Sequence, residues 1–238
     1  MNLVLDVVLL IIVALCTWSG FKHGLLGGVA GVLTIVIALF GGSLVSSAYA
    51  HEVVPALEPF VDGYIDSQRN RDAVLEKLGF GDSDLSVEDI LNQNPSLRYN
   101  FAYECYSSVG LYHDRAEELA ERAVRYSDEN VTDMTEAVVA VLCDTATYIT
   151  GLALGFLLIL IFITTLANIG NLSFRLPNLE VLDEVGGAVL GFVKGLMYCV
   201  LLSWLLSFFG IIIGQNTISQ TILAKFFLNF RLLTGGLL

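Results

Sequence analysis

Positive charge is the scarcest feature of this chain. Of its 238 residues only 12 are Lys or Arg and 3 are His, against 24 Asp and Glu, for a net charge of −12. Phosphate backbones are bound by clustered Lys and Arg, so nucleic acid is excluded as an expected partner. Cysteine is equally thin. The four cysteines form no CxxC pair and no Cys/His cluster, so the spacing that metals require is missing. No Ser/His/Asp or Cys/His set is readable, and no glycine-rich phosphate loop is present. The expectation is a protein without enzymatic activity, metal or cofactor.

What the chain has instead is apolar length. It is 55% hydrophobic and 15% charged, where a soluble domain has about 45–50% and about 25%. The excess lies in four runs, roughly 3–19, 25–49, 138–167 and 185–213. Crossing a bilayer takes about 20 such residues. The sequence therefore predicts an all-α integral membrane protein with four transmembrane helices, and the lipid bilayer is its first partner. Residues 1–49 form one hairpin of spans and 137–213 a second. Residues 50–136 form an acidic extracytoplasmic helical insert, and 214–238 an amphipathic interfacial tail with Lys225 and Arg231.

The acidity belongs to the insert. Residues 50–145 carry 20 Asp and Glu against 7 Lys and Arg, and the rest of the chain 4 against 5. Basic residues mark cytoplasmic loops. Lys22 (with His23) lies between spans 1 and 2, and Arg175 between spans 3 and 4. Both termini and the insert are thus expected outside the cytoplasm. An acidic outer domain implies an extracytoplasmic protein partner.

Helical signals run through the insert. "SQRNRDAVLEKLG" stops at Gly79. Ser86-Val-Glu-Asp89 resembles a capping box, and "HDRAEELAERAVRY" is amphipathic, with Leu119, Ala123 and Tyr126 on or near one face. A helix from about Thr132 is expected to run unbroken into span 3. Three strings match known motifs without their context. Gly79-Phe-Gly-Asp82 matches intramembrane aspartyl proteases but lies in a hydrophilic loop. Glu117-Glu118-x-x-x-Arg122 reads as a solvated helix with a Glu118–Arg122 pair. Asp82-x-Asp84 lacks the Gly and Glu of an EF-hand loop. Cys105 and Cys143, in or beside the insert, are a candidate disulfide if that side is oxidising, with burial at the membrane edge as the alternative.

Glycines and isolated charges mark the spans. Gly20, Gly24 and Gly28 recur every fourth residue, as do Gly187, Gly191 and Gly195, and this spacing lets helix backbones approach closely in lipid. Close packing within the bundle is one reading; homo-oligomer contacts or a thin gate is the other. Asp6 sits near the outer end of span 1. Lys194 lies about nine residues into span 4, about 14 Å deep at about 1.5 Å per residue. A structural pair or a snorkelling side chain is one reading of Lys194. A pore, relay or partner contact is the other.

These residues resemble the colicin V production protein (CvpA) family of bacterial membrane proteins. The resemblance rests on Asp6 with "GFKHGLL" (20–26), and on Asp183, Gly187, Gly191, Lys194 and Gly195, which match Asp-x-x-x-Gly-x-x-x-Gly-x-x-[Arg/Lys]-Gly. "SQTILAKF" (219–226) resembles the family's tail. His23 replaces the Arg common there, and the insert is longer than in compact members. The resemblance implies a four-span inner-membrane protein, accessory or scaffold in toxin production or secretion and in envelope homeostasis. A small oligomeric channel or transporter is the rival expectation.

Overall fold

A computed structural model describes residues 2–65, 67–81, 85–169 and 180–208, with Thr221, Leu223, Phe226 and Phe227. Every regular element among them is helical: α1 (Asn2–Ile65), α2 (Gln68–Lys77), α3 (Val87–Gln93), α4 (Arg98–Ser108), α5 (His113–Asn130), α6 (Met134–Ile169) and α7 (Glu180–Phe208), with a 3-10 turn at Pro95–Leu97. Among the described residues three stretches are long and apolar enough to cross a membrane: Val4–Ala50 in α1, Met134–Ala167 in α6 and Val181–Phe208 in α7. Their outer faces expose Leu10, Leu15, Phe40, Leu158 and Phe162. In water so broad an apolar surface would drive association. In hydrocarbon it costs nothing, and helices satisfy their own backbone groups there.

Expected spans 1 and 2 fall in one element, α1, interrupted at a single residue. Gly24 has φ 72° and ψ −176°, a region open in practice to glycine alone. The connection 170–179, with Arg175, lies outside the described residues, as do Lys225 and Arg231. Helix α6 runs without a break from Met134 to Ile169, as the sequence predicts.

The chain divides into two compact units. The first, called here the membrane unit, takes the described residues within Met1–Ser46, Thr150–Leu206 and Asn216–Leu238. The second, the acidic unit, takes those within Ser47–Ile149 and Ser207–Gln215. In the membrane unit Phe227 clusters with Leu9, Cys199 and Val200, and Leu223 packs against them.

The acidic unit has a conventional core. Phe101, Ala102, Cys105 and Tyr106 of α4 meet Ala116, Leu119, Ala120 and Ala123 of α5, with Val138 and Leu142 of α6. Small residues on α5 let α4 pack close, and Tyr106 fills the centre, its hydroxyl donating to the Val138 carbonyl at 3.1 Å. Burial holds that phenol well above its ordinary pKa, so it stays a donor. Gly79 ends α2 at φ 84°, with Phe80 N–H bonded to the Leu75 carbonyl at 2.8 Å. Ser86 caps α3, its Oγ accepting from Asp89 N–H at 3.1 Å.

Two expectations are corrected. Glu118 pairs with Arg115 at 2.5 Å, and Arg122 reaches Asp144 at 3.5 Å, so the Glu118–Arg122 pair does not form. Packing of α5 against α6 offers Arg122 a partner that sequence spacing along one helix cannot reveal. Cys105 and Cys143 are buried free thiols, without a disulfide between them. Burial, with Glu104 adding to it, pushes the Cys105 thiol up to about 12, far from the reactive thiolate.

Candidate functional site

The break at Gly24 creates a problem that α7 solves. A helix restarting at Leu25 begins with N–H groups that have no carbonyl one turn back. In an apolar environment an unsatisfied N–H costs about 1–3 kcal/mol. A lone carboxylate inside a span costs about 2.5–3.5 kcal/mol on insertion scales. Asp183, near the start of α7, is buried at 5% exposure, and its Oδ1 accepts the Leu25 N–H at 2.8 Å. One contact removes much of both costs. The partial positive charge at the new helix start favours the carboxylate further. Room for it comes from Gly24: a Cβ there would lie 2.6 Å from the Asp183 carboxyl carbon. Gly24 thus serves twice, through its φ and through its missing side chain.

Below this cap the two glycine series meet. A Cβ on Gly20 would overlap the Gly187 carbonyl oxygen and lie 2.7 Å from Gly191 Cα. One on Gly187 would overlap Gly20 O and lie 2.8 Å from Gly24 Cα. Gly191 faces the Cys16 carbonyl, and a Cβ on Gly195 would stand 2.9 Å from Val13 Cα. Every obstacle is backbone, which cannot swing aside. The first part of α1 and α7 are therefore in main-chain contact over three turns. Gly28 sits one step outside this seam, against the Leu190 side chain.

The structure brings Asp183, Gly20, Gly24, Gly187, Gly191 and Gly195 together. It places Asp6 elsewhere in the membrane unit, where its Oδ1 accepts the Leu223 N–H of the tail at 3.1 Å. Asp6 and Asp183 thus serve alike, each accepting a backbone N–H from an element far along the chain. Lys194 is half-buried. Its Nζ lies 5.8 Å from the Tyr198 ring centroid, and its stem fills the space left by Gly31. It borders a cavity of about 360 Å³ lined by Cys16, Ser19, His23, Gly27, Thr34, Thr164 and Tyr198, among others. A cation in a span carries the same cost of about 2.5–3.5 kcal/mol. The ring face returns about 0.5–2 kcal/mol of it.

A second crossing went unnoticed in the sequence. Gly42 and Ser46 of α1 lie against Gly151 and Gly155 of α6. A Cβ on Gly42 would be 2.9 Å from the Phe156 nitrogen, and one on Gly155 would be 3.1 Å from Gly42 Cα. Both pairs keep the four-residue small-residue spacing, so the rule that found the first seam could have found this one.

A family profile described as Colicin V production protein matches residues 112–231. The matched stretch is half of the chain and includes Asp183, Gly187, Gly191, Lys194 and Gly195. No curated protein and no solved structure matches.

Proposed function

The chain belongs to the family of colicin V production proteins, and from that premise we propose that it is a non-catalytic accessory or scaffold in the production and export of a colicin V-type toxin and in envelope homeostasis. The observation that carries the reading is the seam between α1 and α7. The Asp183 motif of the matched stretch there locks onto a broken helix by main-chain contact, which suits a rigid bundle holding other components in place.

In this reading the protein spans the bacterial inner membrane four times. The two parts of α1 on either side of Gly24 are separate spans, and α6 and α7 are the others. Lys22 and Arg175 keep the short connections in the cytoplasm. Residues 50–136 and both termini lie outside, where the acidic insert meets a protein partner. Homo-oligomers assemble through lipid-facing surfaces.

The test joins secretion to flux. Deleting the gene in a toxin-producing host is expected to lower released toxin, and the wild-type copy to restore it. Purified protein in liposomes is expected to carry no ion or solute current. A current abolished by Lys194→Met would replace the scaffold with a channel, and unchanged toxin release after deletion would remove the accessory role.

A further inference from the structure

Lys194 lies well inside α7, where a charge is costly. Asp6 and Asp183 each face a backbone N–H, at 3.1 and 2.8 Å. Among the described residues Lys194 has no ion-pair partner; its ammonium lies 5.8 Å from the Tyr198 ring centroid and shares the cavity wall with Cys16. The space beside it is a cavity of about 360 Å³, within the range of small-ligand sites.

The cavity wall explains which sign of charge fits. Thr34 and Thr164 turn their hydroxyl protons to the Ala30 and Leu160 carbonyls. Those carbonyls are therefore already occupied and do not draw the ammonium. His23 donates Nδ1–H to the Ser19 carbonyl at 2.7 Å. Among the described residues no carboxylate borders the cavity. Gly31 matters most: a Cβ there would stand 3.2 Å from Nζ, so its absence gives the ammonium room to sit at the cavity edge. A cation in a low-dielectric wall attracts an anion strongly, and basic pockets between membrane helices take anionic headgroups.

We propose that this cleft binds a phosphate-class oxyanion against the Lys194 ammonium. The phosphate is either the headgroup of an anionic phospholipid or a free phosphate. The site is independent of the scaffold role, because ligand occupancy can be read without toxin export.

The experiment uses the full-length wild-type protein in a neutral detergent. The acylation rate of Lys194 by an amine-reactive reagent is followed by peptide mass spectrometry. Phosphatidylglycerol, inorganic phosphate and phosphatidylcholine are added separately. At least tenfold slowing is expected with one or both anionic probes, and none with phosphatidylcholine. Protection by phosphatidylglycerol alone identifies a lipid site, and protection by inorganic phosphate a free-anion site. Lys194→Arg is expected to retain co-purified or added anion, and Lys194→Met to lose it at least tenfold. Wild-type acylation that neither anion slows overturns the proposal, whether or not the Met variant folds. Equal slowing by phosphatidylcholine, a zwitterion, overturns it too, since the shielding would then not depend on a net anionic ligand.

Discussion

The two units of this chain solve the same packing problem with opposite materials. The acidic unit fills its core with side chains. Tyr106, Phe101 and Leu119 occupy the space between helices, and its charges pair at the rim, as Lys77 does with Glu104 at 2.6 Å. The membrane unit removes side chains. Its helices meet where Gly20, Gly187 and Gly191 present backbone to backbone, and its carboxylates bind main-chain N–H groups. Water explains the difference. Burying a large apolar side chain from water is favourable by about 1.5–3 kcal/mol. In lipid that gain vanishes, so close contact and satisfied polar groups must hold the helices together.

If this contrast is right, substitutions should rank by which material they disturb. The largest effect is expected at Gly191→Leu, whose branched side chain must enter the Cys16 carbonyl and Gly20 backbone. Overpacking costs about 1–3 kcal/mol in cores able to shift; here only backbone can shift, so the upper end is expected. Thermal unfolding in detergent reads the loss, and an unchanged midpoint would remove the seam from the account. An intermediate effect is expected at Asp183→Ala, which strands the Leu25 N–H at about 1–3 kcal/mol. Asp183→Asn keeps an acceptor and should lose clearly less; equal losses in the two variants would mean that capping is not the role. The smallest effect is expected at Lys77→Ala. That exposed pair contributes about 0–1 kcal/mol, and the loss should shrink further in added salt. A larger, salt-independent loss would show that the rim of the acidic unit carries more than the contrast allows.

Much of this arrangement was legible in the sequence, because its signals are local. The long apolar runs, the unbroken entry into α6, the Gly79 stop and the Ser86 cap depend on neighbours within a few residues. The four-residue glycine spacing identified which residues are thin, and the family motif singled out Asp183. What could not be read was which element each feature faces. Asp183 and Leu25 are 158 residues apart, and nothing in either stretch names the other. The same holds for Arg122, whose partner lies on α6. Gly24 was read as a packing residue; its positive φ and its service as a cradle for a carboxylate appear only once the break is seen.

The distance between Leu25 and Asp183 also has a consequence in time. Chains are synthesised at about 5–20 residues per second, so the carboxylate that completes the break emerges about 8–30 s after the N–H it receives. For that interval the first part of the protein is in the membrane with its restart uncapped and its glycine face uncovered. An early segment so incomplete stays correctable, or open to insertion factors and quality-control proteases, until α7 arrives. Assembly of α1 with α7 is therefore a late step, open only once the chain through α7 has been made.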